Sequence, residues 1–302
     1  MSAMIEAHGL GKRFGRKTVL DNLTFTLHAG EPIALIGPNG AGKTTLFSLL
    51  CGYLTPSQGS LRIFGHAPGS SALFGKVSAL PQDALFDPNF SIGTQLELYG
   101  QLQGMNKATA REEAKRVLQL VELPEHLDSK PTALSHGMKK RVAIAQALLG
   151  QPKLVLLDEP TAGLDPANAL QIRQLVSKMS AETTFLISSH NLFELERLCG
   201  TVLYLEQGRL VQQAVHEASS RGFMTFQLDQ APMEQVLAAC RALPGILDAR
   251  SPQKQELVLE YDPQLLTEAD LAILSLLRRE QWRYKQLTLG QTLEQQLFDV
   301  AG

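Results

Sequence analysis

The pattern of this 302-residue chain predicts an α/β fold with a mostly parallel core sheet, followed by a smaller α+β unit. Three observations predict it. Short, mainly apolar runs recur at Pro32-Ile33-Ala34-Leu35-Ile36, Lys153-Leu154-Val155-Leu156-Leu157 and Thr184-Phe185-Leu186-Ile187-Ser188, as in strands buried on both faces of a parallel sheet. Segments of helical periodicity lie between these runs. After Ala214 the residues turn small and polar, and the rhythm of the chain changes.

In order, Thr18-Val19-Leu20 and Leu23-Thr24-Phe25-Thr26-Leu27 read as strands before His28-Ala29-Gly30-Glu31 turns into the first apolar run. Thr44-Thr45-Leu46-Phe47-Ser48-Leu49-Leu50 starts a helix. Residues 52–69, rich in Gly, Pro and Ser around Ser60-Leu61-Arg62-Ile63-Phe64, suggest a hairpin. From 90 to 120 the spacing is helical, with Arg111-Glu112-Glu113 on a wet face and Val117, Leu118 and Val121 on an apolar one. Residues 142–149 form a helix of small apolar residues. Beyond the break, 224–228, 246–250, 256–261 and 284–289 read as strands, with helices at 233–243 and 271–280. Thr267-Glu268-Ala269-Asp270 has the form of a capping box, and Thr292 of the cap of a last helix. The order βαββαβ fits a ferredoxin-like split unit.

A hydrophobic content of 44% and a charged content of 19% suit a chain that buries a substantial core. A net charge of −2 with scattered basic residues makes no electrostatic case for nucleic acid. Cys51, Cys199 and Cys240 have no paired spacing, which points to reduced thiols in a cytosolic setting. The opening residues lack the regions of a signal peptide, and no apolar run has the length of a bilayer span. A soluble chain is expected.

The chemistry starts at Gly37-Pro38-Asn39-Gly40-Ala41-Gly42-Lys43-Thr44, which has the spacing G-x-x-x-x-G-K-[ST] between a strand and a helix. There, backbone N–H groups and a helix N-terminus converge on an anion. Glycines let the backbone approach phosphate, Lys43 reaches the β- and γ-phosphates, Thr44 offers Mg²⁺ a hydroxyl, and Thr45 continues the turn. A nucleoside triphosphate is the expected ligand. A second anchor is Asp158-Glu159-Pro160 at the end of an apolar strand, where parallel sheets place their ligands. Asp158 would orient the Mg²⁺ shell, and Glu159 would polarise an attacking water.

With these stand Leu134-Ser135-His136-Gly137-Met138, Thr161-Ala162-Gly163-Leu164-Asp165, Ile187-Ser188-Ser189-His190, Leu80-Pro81-Gln82 and Lys12-Arg13-Phe14-Gly15. In this order they resemble the signature, D-loop, switch histidine, Q-loop and adenine-stacking aromatic of ABC transporter ATPases, over residues from about 5 to 214. His136 and Met138 depart from the commonest signature, L-S-G-G-Q, while Ser135 and Gly137 keep the hydroxyl and backbone contacts. Phe14 can stack but has no hydroxyl.

The resemblance implies a P-loop NTPase cassette at 1–215, with an antiparallel β subdomain, a helical subdomain at about 90–150, and a separate ferredoxin-like unit at 223–302. It implies ATP and Mg²⁺, with Glu159, His190 and Gln82 in catalysis and Thr44, Gln82 and Asp158 around the metal. Phe14, Gly37 to Thr45, Ser135, Gly137 and Asp165 would hold the nucleotide, the signature residues acting across a head-to-tail dimer. It further implies a homodimer or a paired ATPase, a permease on a separate chain, and a cytoplasmic position against the membrane's inner face. Residues 83–91, with Phe86 and Phe90, line a permease groove or pack in the core. The added C-terminal unit resembles that of exporters, as does the tail at 292–298, and braces a dimer, senses a ligand, or serves structure alone. The rival functions are a soluble ABC-type ATPase with a non-transport macromolecular partner, and a phosphate-loop enzyme outside the family. The latter leaves 134–138 unexplained, and Asn106-Lys107 is not followed by a guanine-reading aspartate.

Overall fold

The structure, a computed structural model, describes residues 3–190, 195, 198–215, 222–266 and 268–289. The chain divides into two compact units, Met1–Val215 and His216–Gly302. The expected cap at Thr267 and the segment 292–298, with its capped helix, lie outside the described residues.

The larger unit is built on a six-stranded sheet. Strand β3 (Ile33–Ile36) lies between β7 (Thr184–Ser189) and β8 (Thr201–Glu206), with β6 (Leu154–Asp158) beyond β7 and β5 (Val77–Leu80) at one edge. These five are parallel, and β9 (Arg209–Val215) closes the other edge antiparallel to β8. Every residue of β3, β6 and β7 is buried, which is why their sequence reads as mainly apolar runs, with polar residues confined to the strand ends. Helices α1 (Lys43–Leu50) and α5 (Pro166–Met179) follow β3 and β6.

A three-stranded antiparallel sheet carries β1 (Ala3–Phe14) between β2 (Lys17–His28) and β4 (Gln58–Ile63). Its inner residues, including Ile5, Leu10, Leu23, Phe25 and Ile63, share one core with Leu46 and Leu49 of α1 and Leu156 of β6. The two short strands expected at 18–20 and 23–27 are one strand, in which Asn22 takes a positive φ of 53°. The expected hairpin at 52–69 is corrected. Its strand pairs with β1, and only a tight turn, Ile63 to His66, folds back locally. Burial of Leu61 and Ile63 under β1 outweighs the local turn residues.

The long helical stretch at 90–120 is two helices, α2 (Ile92–Leu102) and α3 (Lys107–Leu120), broken at Gly104, where φ is 90°. Ser91 and Asn106 cap them, accepting from the N–H groups of Thr94 and Thr109. Both pack with α4 (His136–Ala147), and Arg116 of α3 reaches the carbonyl of Leu148 at 3.1 Å.

The smaller unit runs β10 (Gly222–Asp229), α6 (Met233–Arg241), β11 (Ile246–Arg250), β12 (Glu256–Tyr261), α7 (Ala269–Arg279) and β13 (Arg283–Leu289). The sheet order β11-β12-β10-β13, antiparallel throughout, is the ferredoxin-like split arrangement. Met224, Phe226 and Leu228 alternate onto one face and meet Leu257 and Leu259, Val236 and Cys240 of α6, and Ile273 and Leu277 of α7.

Leu156 is fully buried in the larger core. Leu156→Ala should cost about 2–5 kcal/mol through lost burial and a residual cavity. Urea unfolding of the full chain measures it, and a loss under about 1 kcal/mol would contradict this packing.

Candidate functional site

The glycine loop spans 37–42, between the end of β3 and the start of α1. Packing from two sides shapes it. A Cβ on Gly37 would stand 2.0 Å from the carbonyl oxygen of Leu205, and one on Gly42, at φ 108°, 2.6 Å from Leu20 Cδ2. Only glycine allows so close an approach. The Gly208 N–H donates to the Ala41 carbonyl at 3.1 Å, and the Asp21 N–H to Gly208 at 2.8 Å, so β2 and the β8–β9 turn hold the loop together. Side-chain oxygens of Ser91, Asn106, Ser135 and Asp165 cap α2, α3, α4 and α5. Helix α1 starts at Gly42 with no side-chain cap. Its first N–H groups therefore meet an anion without a competing internal acceptor. Thr44 stands exposed at this end and Thr45 is half-buried.

The Lys43 ammonium, only 7% exposed, donates to the carbonyls of Gly37 at 2.7 Å and Pro38 at 3.3 Å. It also lies 3.8 Å from Glu159 Oε1. The other carboxylate oxygen, Oε2, meets His190 Nδ1 at 2.9 Å, and that imidazole is largely exposed. Glu159 is itself buried and has a left-handed backbone, φ 48°, a strained conformation of the kind found at functional sites. Ser188 maintains it. Its hydroxyl accepts from the Glu159 N–H at 2.9 Å and donates to Asp158 Oδ1. Lys43, Asp158, Glu159 and His190 are thus assembled at one place from β6, β7 and the glycine loop.

Ser135, Gly137 and Asp165 form a second group. Ser135 caps α4, accepting from the Met138 N–H at 3.3 Å, and Asp165 caps α5. Asn168 joins them. It donates to Asp165 through its backbone at 3.0 Å and its side chain at 2.6 Å, and its amide oxygen would lie 2.2 Å from a Cβ on Gly137. These bonds from Asn168 hold the Asp165 carboxyl below the usual carboxylate range.

Gln82 and Phe14 stand apart. No hydrogen bond or ion pair among the described residues joins them to either group. Lys140 of α4 donates to the Gln82 carbonyl at 2.8 Å, tying α4 to the loop after β5. The Phe14 ring is 46% exposed, with the Lys12 ammonium 5.1 Å from its centre and that ammonium anchored on the Thr55 carbonyl at 2.8 Å. The three cysteines are free. Burial, and to a smaller extent the charge of Asp158, pushes the Cys51 thiol up to about 11, so it is inert at neutral pH.

Sequence reasoning missed Ser188, Asn168 and Lys140 as organisers. Ser188 had a weak signal, a polar residue following the apolar run Phe185-Leu186-Ile187 of a buried strand; Asn168 and Lys140 had none.

A glycine loop at an uncapped helix N-terminus, facing a strand that ends in two buried carboxylates, defines a phosphate-loop nucleoside-triphosphate hydrolase. Comparison with known proteins narrows this. Residues 20–162 match the ABC transporter family model. Over 219 residues the chain is 38% identical to a Nod factor export ATP-binding protein I of Burkholderia lata, covering 72% of each chain. It is 32% identical to a linearmycin resistance ATP-binding protein of Bacillus subtilis, over 69% of this chain and 68% of that one. A solved subunit of the CbiONQ ABC transporter complex of Clostridium perfringens superposes with a TM-score of 0.65 at 28% identity, covering 71% of this chain and 89% of that one. The chain belongs to the ABC transporter family. It is an ATP-binding, ATP-hydrolysing subunit of such a transporter.

Two substitutions test the local geometry. Ser188→Ala leaves Asp158 and the Glu159 N–H each without this buried partner, at an expected cost of about 1–3 kcal/mol in urea unfolding. Lys140→Ala removes an exposed contact and should cost less than about 1 kcal/mol, yet it should speed amide exchange across residues 82–86. Unchanged exchange there would show that Lys140 does not hold the loop.

Proposed function

We propose that this chain powers an exporter, working as a pair of cassettes beneath a permease on a separate chain, at the inner face of the membrane. The names of two relatives, Nod factor export and linearmycin resistance, favour outward transport. No helix among the described residues is long and apolar enough to cross a membrane, so this reading assigns the crossing to another subunit. The cassette would occupy residues 1–215 and the ferredoxin-like unit 223–302.

The observation that carries the proposal is the Glu159 carboxylate, set between Lys43 and His190 on a backbone turn that Ser188 holds. The loop residues Gly37, Pro38, Asn39, Gly40, Ala41, Gly42, Lys43, Thr44 and Thr45 cradle the phosphates, and Phe14 stacks on adenine. Glu159 orients the water that attacks the γ-phosphorus as its bond to ADP breaks, and His190 holds the carboxylate and the γ-phosphate in register. The oxygen donors of Thr44, Asp158 and Gln82 suit Mg²⁺, a hard cation that keeps waters and phosphate oxygens around it. Bound there, Mg²⁺ would neutralise charge on the β- and γ-phosphates. Ser135, exposed at the start of α4, and Gly137 cover the ATP of the opposite subunit, with Asp165 beside them.

Apolar side chains left in water support the permease surface. Leu85 is 88% exposed, and Phe90 with Leu98 and Leu102 of α2 are exposed as well. Phe86 is half-buried. The buried Gln95 amide accepts from the Asp87 N–H at 2.8 Å and donates to the carbonyls of Asp87 and Phe90, so this loop is presented in one shape. Exposed aromatic and aliphatic groups on an ordered loop fit insertion of a partner segment.

Glu159→Gln should lower turnover by about 10²–10⁴ while leaving ATP affinity nearly unchanged. Light scattering with ATP and Mg²⁺ should then show a dimer that ADP does not support. Near-normal turnover would remove Glu159 from its role. A protein that stays monomeric with ATP would overturn the head-to-tail pairing.

A further inference from the structure

The smaller unit holds a concave site that shares no residue with the glycine-loop cluster. It is an open groove of about 690 Å³, large enough for a small molecule, for which sites of roughly 300–1,000 Å³ are ordinary. Leu274, Leu277, Trp282 and Tyr284 make it apolar, and Arg278 and Arg283 charge it.

The end of α7 explains why these groups meet. Gln281 takes a left-handed φ of 60°. The Trp282 N–H then donates back to the Leu277 carbonyl at 2.8 Å, and the Gln281 N–H to Arg278 at 3.2 Å. This is the reversal that commonly ends helices, and it brings the residue after the turn onto the last helical turn. Trp282 therefore lies by Leu277, while Leu274, Leu277 and Arg278 share a helix face at spacings of three and four. Tyr284 is the second residue of β13, its ring set edge-on against Phe226 with centres 5.9 Å apart.

The charges decide the ligand. Arg279 pairs with Glu280 at 2.9 Å, and Lys285 takes Asp229, the residue across the ladder from Arg283, at 3.0 Å. Among the described residues, no carboxylate pairs with Arg278 or Arg283. The helix end itself repels anions, but its Leu277 and Arg278 carbonyls are already occupied by the turn. Two guanidiniums beside indole and phenol rings suit a carboxylate carried on an apolar body.

We propose that this cavity binds a small amphipathic carboxylate, its apolar part against Trp282, Tyr284 and Leu274 and its anionic group on Arg278 and Arg283. Trp282 is the single tryptophan of the chain, so its fluorescence reports on this site alone. Titrating the full-length protein with octanoate should change the emission saturably, with Kd on the order of 1 mM for a ligand of about ten non-hydrogen atoms. Octanol, the uncharged counterpart, should bind about fivefold more weakly, as expected for two exposed charge pairs. Arg278→Gln with Arg283→Gln should bring octanoate to the level of octanol and leave octanol unchanged. Absence of a saturable change, or equal binding of octanoate and octanol, overturns the proposal. The wild-type comparison needs no variant, so a substitution that fails to fold leaves the test standing.

Discussion

One hydroxyl group sets the chemistry of this molecule. Ser188 lies on β7, the strand between β3, which leads into the glycine loop, and β6, which ends in Asp158 and Glu159. Its oxygen accepts from the Glu159 backbone N–H and donates to the Asp158 carboxylate, so one atom fixes the Asp158 side chain and the backbone turn that carries Glu159. Without that clamp the left-handed turn at Glu159 would relax, because no bulky residue favours it. The parallel register, with Asp158 beside Ser188 and Ile36 beside Ser189, brings all three strand ends to the same rim. The general tendency of parallel sheets to bind ligands at their carboxyl ends has here a specific cause.

The glycine loop depends on its neighbours in a similar way. Its conformation is imposed by Leu205 on one side and Leu20 on the other, both core residues. Lys43 is buried among carbonyls and one carboxylate, which compensate its desolvation. The starts of α4 and α5 meet through Asn168, which bonds Asp165 and lies against Gly137, and Lys140 connects α4 to Gln82. With this tie between helix and loop, a displacement of the loop at Gln82 would be felt at α4.

The smaller unit obeys different rules. Its sheet is antiparallel and amphipathic, and its core is drawn from alternating residues and two helices. Among its described residues no glycine loop or clustered carboxylates recur. Its concave surface arises from the way α7 stops, a left-handed Gln281 that turns Trp282 over the helix end.

The sequence by itself determined the local features. The glycine loop, the Asp158-Glu159 strand end, the three buried runs and the βαββαβ order are written in residue type and spacing, because turns and periodicity are short-range properties. Strands β1, β5, β8 and β9 and helix α5 escaped that reading. In β1, polar Lys12 and Arg13 and two glycines break the alternation, and β9 carries Gln212 and Gln213 among its apolar residues. Such segments become strands through their partners, as Ile5 does by lying opposite both Leu27 and Ile63. The same holds for the site. Ser188 meets Glu159 across 29 positions and Lys140 meets Gln82 across 58. Contacts between residues so far apart leave no local pattern, so only the tertiary structure, by stacking strands in one order, decided which hydroxyl and ammonium would organise the residues that the motifs announce.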